Sequence, residues 1–243
     1  MQYINTKPIL ENSFSLLCWN VHKEMGRKKF NNFFLHLQHQ YYADLILLQE
    51  ATLDSDTSKL FPRHHYKSAN NIRMWKKSFG VLTASTSLLK KEFSLKTIYR
   101  ELHIMTKKTL LITSHKLANG SKLTVVNLHA INFVRAGIFI KEMDRLLITL
   151  NDIRGPLIVA GDFNTWSDKR LIHLDSFAKN MGLKIATLQD DKYIKKLFFK
   201  PLDHIYYREL ELLEAVVIDT KKISDHNPIY ASFTILNHHK SNG

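Results

Sequence analysis

The 243 residues are 44% hydrophobic and 11% aromatic, enough to build a sizeable core, and no Pro-, Gly- or Ser-rich linker, low-complexity block or heptad run divides them. The 35 basic and 22 acidic residues leave a net charge of +13, which favours an extended anionic partner such as nucleic acid or an anionic membrane surface over a merely soluble basic protein. The single cysteine, Cys18, excludes an internal disulfide framework and fits a reducing compartment.

Polar Gln2, Asn5, Lys7, Glu11 and Asn12 interrupt the first residues, so no classical signal region is expected. No stretch reaches the length of a bilayer span. The expectation is one cytoplasmic domain over residues 1–243, with a core from about 14 to 235, short flexible termini and a monomeric state.

Phe14–Val21 reads as a mostly apolar strand that stops near Asn20. Phe30, Phe33, Phe34, Leu37 and Tyr41 fall at helical spacing and predict an amphipathic helix from about Arg27 to Tyr42. Asp44–Glu50 then forms a second buried strand that ends on a carboxylate. Residues 54–78 read as polar and irregular; Arg63, His64, His65, Lys67, Arg73, Lys76 and Lys77 are interleaved there with Tyr66 and Trp75. Cations among rings suit a phosphate backbone with unpaired bases, and a solvated loop is the plain alternative.

Strands are predicted at Phe79–Ser85, Phe93–Tyr99 and Thr109–His115, and another at Lys122–His129 that ends on histidine. A helix from about Val134 to Ile153 buries Phe139, Met143, Leu146, Leu147 and Leu150. After it, Gly155-Pro156 introduces Leu157–Ala160, an apolar run too short for an ordinary helix. That run delivers Asp162 and Asn164 to the edge of a sheet, where a buried acid needs a cation, a donor or solvent. Ser167 can cap a further helix with Leu171, Leu174, Ala178 and Met181 on one stripe, ending at Gly182. A second basic and aromatic stretch, Lys192–Lys200, precedes Leu202-Asp203-His204. Strands near 211–218 and 229–235 flank Ser224-Asp225-His226-Asn227-Pro228.

Asn20, Glu50, His129, Asp162, Asn164, Asp203, Asp225 and His226 thus gather at strand ends. Taken singly, a terminal acid is a cap or a surface charge, and a histidine is a satisfied core residue. Taken together, carboxylates and carboxamides are hard ligands suited to Mg²⁺ or Mn²⁺. The lack of a cysteine cluster or an HExxH run argues against zinc.

The ordered set Asn20, Gln49-Glu50, His129, Gly161-Asp162-Phe163-Asn164, Leu202-Asp203-His204 and Ser224-Asp225-His226-Asn227-Pro228 resembles the endonuclease/exonuclease/phosphatase superfamily, which includes DNase I. The runs NLHAINF at 127–133, GDFNTW at 161–166 and LDHIYYR at 202–208 are similar to its small bacterial YafD-like branch. The resemblance implies an α/β fold, a four-layer α/β/β/α sandwich of two mixed β-sheets flanked by helices. It implies that Glu50, with Asn20 and Asp225, holds a divalent metal, and that Asp162 and Asn164 orient the attacking water and the phosphate. Asp203 fixes His226 as base or charge-stabilising donor. His129 is read as a second acid aimed at the leaving oxygen, with Glu101 as its orienting carboxylate.

The activity these residues imply is metal-dependent phosphodiester hydrolysis, a chemistry that needs positioning and charge neutralisation more than a covalent nucleophile. A nuclease on DNA or RNA is the first expectation, with Arg73, Trp75, Lys195 and Lys196 on the substrate. The alternative is a phosphoesterase on phospholipid or inositol phosphate, with Phe198-Phe199 as a membrane-contact tip.

Overall fold

The structure is a computed structural model in which residues 7–74, 77–101 and 107–236 are described; Trp75, expected on the substrate, lies outside them. In chain order the elements are β1 (Ser13–Asn20), α1 (Lys28–Gln40), β2 (Leu45–Leu53), a 3₁₀ turn (Thr57–Leu60), β3 (His65–Met74), β4 (Lys77–Ser85) and β5 (Leu89–Lys96). There follow β6 (Thr109–Lys116), β7 (Lys122–His129), α2 (Ala136–Leu150), β8 (Leu157–Asp162) and α3 (Asp168–Asn180). Short β9 (Lys184–Ile185), β10 (Lys196–Leu197) and β11 (Lys200–Pro201) precede β12 (Asp203–Arg208), β13 (Leu210–Val217) and β14 (Ile229–Ile235).

In β1, Leu16 and Cys18 point to one side and Leu17 and Trp19 to the other, and all four are buried. A strand apolar on both faces has to be covered on both. Leu17 and Trp19 pack with Ile46 and Leu48 of β2 against Phe30, Phe34 and Leu37 of α1. Leu16, Cys18, Leu45 and Leu47 instead meet Val125, Ile158, Ala160 and Ile205 of a second sheet. That sheet's outer face, with Val126, Leu157 and Val159, is covered by Phe139, Met143 and Leu146 of α2 and by Leu174 and Phe177 of α3. Helix, sheet, sheet and helices make the four layers.

Each sheet has six strands, in the orders β13-β14-β1-β2-β4-β3 and β5-β6-β7-β8-β12-β9. Each also contains one parallel pair joined by a helical crossover, β1 with β2 through α1 and β7 with β8 through α2. The remaining pairings are antiparallel, so both sheets are mixed.

Several sequence expectations change. The stretch 54–78 is no irregular loop: it holds the 3₁₀ turn, all of β3 and the start of β4. As the edge strand of its sheet, β3 pairs on one side only and keeps polar residues, so it shows no apolar alternation to read. Lys192–Lys200 likewise contains β10 and the start of β11, a hairpin of two paired positions. In α3, Ser167 stands at the N-cap without a capping side-chain bond, and the buried stripe includes Arg170 and Phe177, while Leu171 is only half-buried.

Candidate active site

The alternation that fills the core also builds the site. In β8, Ile158 and Ala160 face the inter-sheet core, and Asp162 continues the same parity. Asn20 follows Leu16 and Cys18 in β1, His129 follows Val125 in β7, and Asp203 precedes Ile205 and Tyr207 in β12. Asp162 is directly opposite His129 on one side and Asp203 on the other. At Gly161, φ is +146° and a Cβ would lie 1.8 Å from the Leu128 carbonyl oxygen, so only glycine lets β8 press this closely on β7. Two positions inside His129, Gln49 Nε2 donates to Asn127 Oδ1 at 2.7 Å, and Asn127 Nδ2 donates to the Leu82 oxygen at 2.8 Å, tying the two sheets together.

Glu50 has the wrong parity for this face: a regular β2 would send it toward α1 with Ile46 and Leu48. The register of β2 against β4 slips between Leu48 and Ala51, and Glu50 takes a left-handed φ of +52°. Such a bulge re-aims a side chain, and here it turns the carboxylate into the cleft. Asn164 is also left-handed, at +53°. Its N–H donates to Asp162 Oδ1 and its Nδ2 to the Ala130 oxygen, both at 3.0 Å.

The result is a cleft of about 620 Å³ at one end of the two sheets, into which Asn20, Glu50, Glu101, His129, Asp162, Asn164, Lys195, Asp225 and His226 all project. His226 is positioned by its loop, whose Ser224 Oγ donates to the Asn20 oxygen at 2.9 Å while Trp19 Nε1 donates to the His226 oxygen at 2.9 Å. Its Nδ1 lies 2.7 Å from Asp203 Oδ2, and its Nε2 lies 3.9 Å from Asp162 Oδ2.

Burial alone would depress His226, but the charge and hydrogen bond of Asp203, with Asp162 and Asp225 behind, raise its pKa to about 9. It is an imidazolium at neutral pH. His129 goes the other way, held well below the ordinary histidine value by burial and then by Lys108, His226 and Lys23. The 3.5 Å approach of its Nε2 to Asp162 Oδ2 is therefore a contact of a neutral ring, not an ion pair. Burial pushes Asp162 up to about 6; Asp203 adds to this, and His226, the Asn20 hydrogen bond and Lys108 oppose it. For Asp225 burial is outweighed by His226, His22 and Lys195, and its pKa is lowered.

Several expected partnerships differ. Asn20 lines the cleft but spends its Oδ1 on the His22 N–H and its Nδ2 on Asp162 Oδ2, each at 3.0 Å, so here it positions Asp162. Glu101 does not orient His129: its Oε1 accepts the Asn132 N–H at 2.7 Å and its Oε2 lies 3.6 Å from Lys108 Nζ. Lys195 is at the rim, 3.3 Å from Asp225 Oδ2. Lys196 points away to Asp191 at 2.7 Å, and its side chain is not part of the cleft wall. Arg73 is exposed near the end of β3, two residues past Asn71, which does line the cleft.

Oxygen-rich chemistry fits a divalent cation at two places. Among the described residues the Glu50 carboxylate accepts no hydrogen bond; Lys108 Nζ, Lys23 Nζ and His129 Nε2 lie 3.6–3.8 Å from it. A carboxylate in a cleft that is flanked by cations but accepts no direct hydrogen bond keeps its oxygens available to a metal ion. Asp162, Asp203 and His226 also offer ligand atoms within 4.8 Å of one another, a set different from the expected Asn20, Glu50 and Asp225. Of these, His226 is already engaged with Asp203.

Sequence reading missed Lys23, Lys108 and Arg170. Lys108 is buried between Glu50 and Glu101, at 3.6 Å from each. Arg170 is fully buried, its guanidinium donating to the oxygens of Asn164, Val134 and Ile131 and stacking on Trp166 and Phe139 at 4.3 and 4.6 Å. It ties the loop after β7 to the loop after β8. A lone lysine or arginine carries no pattern that marks it.

Fold and cleft together define a DNase I-like α/β sandwich with acids and imidazoles gathered where the strands end. Residues 17–226 match the Endonuclease/Exonuclease/phosphatase family, a family of hydrolytic phosphoesterases, and the chain belongs to it. It is 34% identical over 229 residues to the UPF0294 protein of Vibrio vulnificus (strain CMCP6), covering 93% of this chain and 78% of that one. The UPF0294 protein of Erwinia tasmaniensis is 32% identical over 235 residues, covering 94% and 84%. Among solved structures, the human Nocturnin catalytic domain with bound sulfate anion superposes with a TM-score of 0.68 at 17% identity, over 92% of this chain and 94% of that one. An endonuclease/exonuclease/phosphatase family protein from Leptotrichia buccalis gives 0.68 at 18%, over 90% and 98%.

Proposed function

We propose that this protein is a divalent-metal-dependent phosphodiesterase that works by in-line attack of water, acting as one domain over about 14–235, with nucleic acid as its substrate. The observation that carries the proposal is the meeting of His129, Asp162, Asp203 and His226, drawn from four segments, beside a Glu50 carboxylate that accepts no hydrogen bond among the described residues. Glu50 would hold Mg²⁺ or Mn²⁺ together with a phosphate oxygen, and the bound ion would supply charge neutralisation of the phosphoryl group. Asp162, raised to about 6 and fixed by Asn20 and the Asn164 N–H, is placed to orient water and take its proton. The His226 imidazolium, held by Asp203, donates to charge developing on phosphorus oxygens. Neutral His129, held low by burial and the nearby cations, is placed to donate a hydrogen bond toward the leaving oxygen.

Nucleic acid is favoured by Lys23, Lys108 and Lys195 in the walls of the cleft and by the +13 charge. A phospholipid or inositol phosphate is the second reading, favoured by the exposed Phe198 and Phe199 near the cleft. Purified protein assayed with Mg²⁺ or Mn²⁺ against plasmid DNA, single-stranded RNA, sphingomyelin and inositol phosphates tests both. Cleavage of DNA or RNA that falls steeply with added salt and stops with EDTA is the expected result. Turnover of lipid or inositol phosphate alone would move the substrate to the second reading. No turnover of any phosphodiester would overturn the proposal.

A further inference from the structure

The hairpin of β10 and β11 carries an arrangement that hydrolysis does not use. Leu197 pairs with Lys200, so the loop is just Phe198 and Phe199, with φ of +50° and +65°. Two-residue loops with both residues left-handed select Asn-Gly, because bulky side chains there crowd the backbone. Phenylalanine at both positions is strained, and the rings gain little by it within the protein: Phe199 is 97% exposed and Phe198 68%. Phe198 meets only the edge of Trp166, at 6.2 Å, among the described ring pairs, and Phe199 meets none. Trp166 Nε1 donates to Asn132 Oδ1 at 2.8 Å, and Asn132 and Leu197 line the cleft, so the tip stands beside its mouth.

Around the base of this hairpin lie Lys192, Lys195, Lys196 and Lys200. Three of them pair with the surface carboxylates of Asp225, Asp191 and Asp168. Such pairs contribute little in water and exchange readily for other anions. Two exposed apolar rings at the tip of a hairpin with lysines at its base match the cross-section of an anionic bilayer, acyl boundary within and acidic head groups without.

We propose that the Phe198–Phe199 hairpin docks this protein on an anionic membrane surface, the rings entering the interface and the lysines meeting lipid phosphates and carboxylates. A strand of unpaired bases fits less well. A stacking platform needs a ring held against the protein body, and among the described residues Phe199 makes no ring contact on a hairpin of only two paired positions. Docking goes beyond the phosphodiesterase proposal and does not rest on it.

The test uses a double variant, Phe198→Asn with Phe199→Gly, which installs the residues this loop geometry favours and so keeps the fold. Wild type should co-sediment with phosphatidylcholine vesicles containing about a third phosphatidylserine, and the double variant at least about ten-fold less. Both should hydrolyse bis(p-nitrophenyl) phosphate equally in solution. In a separate Phe199→Trp protein, indole emission should shift to the blue with these vesicles and be quenched by brominated lipid, with no response to an oligo(dT) strand. Equal vesicle binding by wild type and the double variant, or none by wild type, would overturn the proposal. So would an indole that answers to oligo(dT) and not to lipid. Loss of all phosphodiester turnover would sink the preceding proposal and leave this one standing.

Discussion

Replacing Asp203 with asparagine keeps the shape of the His226 partner and removes its charge. In the native cleft His226 sits at about 9 against an ordinary 6.5, a gap worth about 3 kcal/mol at ~1.36 kcal/mol per unit. Asp203, through charge and hydrogen bond, is the largest influence raising it, against burial that lowers it. Without that charge, burial dominates and His226 should titrate near or below the ordinary histidine value. A group whose pKa is higher folded than unfolded contributes stability that is full below the unfolded pKa and is lost as pH rises through the folded one. The metal-free Asp203→Asn protein should therefore be less stable than wild type by about 2–3 kcal/mol near pH 6, and by much less near pH 10, where wild-type His226 is also neutral. Urea unfolding at both pH values measures this, and NMR of the His226 ring follows the titration directly. Phosphodiester turnover should fall by about 10²–10⁴. If His226 still titrated near 9 in the variant, or the stability loss were the same at both pH values, the electrostatic account of this pair would be wrong.

Glu50 is strained as well as functional, since its φ of +52° suits glycine. Glu50→Gly and Glu50→Ala should both lose Mn²⁺ binding by calorimetry, but the glycine variant should be the more stable by about 1 kcal/mol, or ~2–4 °C in Tm. Arg170→Met should destabilise by about 3 kcal/mol or more in denaturant melts, because three buried carbonyl oxygens lose a charged donor, and turnover should fall as Asn164 loosens. Gly161→Ala should fail to give a cooperative near-ultraviolet melt, because the new methyl would lie 1.8 Å from the Leu128 oxygen; a stable, active protein would disprove the close approach. Raising pH from about 4 to about 6 should cost stability through Asp162, whose folded pKa of about 6 lies above the ordinary 3.8; Asp162→Asn should flatten that part of the profile.

The amino-acid pattern carries much of this molecule. Short apolar runs ending in Asn20, His129 and Asp162 are legible because a strand's two-residue period fixes which side chain follows the core residues into the cleft, whereas β12, which begins at Asp203, is marked in sequence only by its Leu202-Asp203-His204 motif. The helices are legible for the same reason, Phe30, Phe34 and Leu37 or Phe139, Met143 and Leu146 repeating at helical spacing. Edge strand β3 is not, because one solvated side and a single neighbour leave its sequence polar.

What tertiary structure alone decides is partnership. Glu50 reaches the cleft only because β2 slips against β4, an event of pairing that no local period encodes. Glu101 binds the Asn132 N–H and not His129, and Lys108 settles between two carboxylates, because a loop and an adjacent strand happen to bring them within reach. The opposite protonation of His226 and His129 is decided in the same way. Identical imidazoles, both buried in one cleft, are driven apart because burial prevails at His129, joined there by Lys108, whereas at His226 the charge and hydrogen bond of Asp203 outweigh it. Periodicity along a chain sets which face a side chain takes; the charges it meets there come from segments far away in sequence, and only the folded packing brings them together.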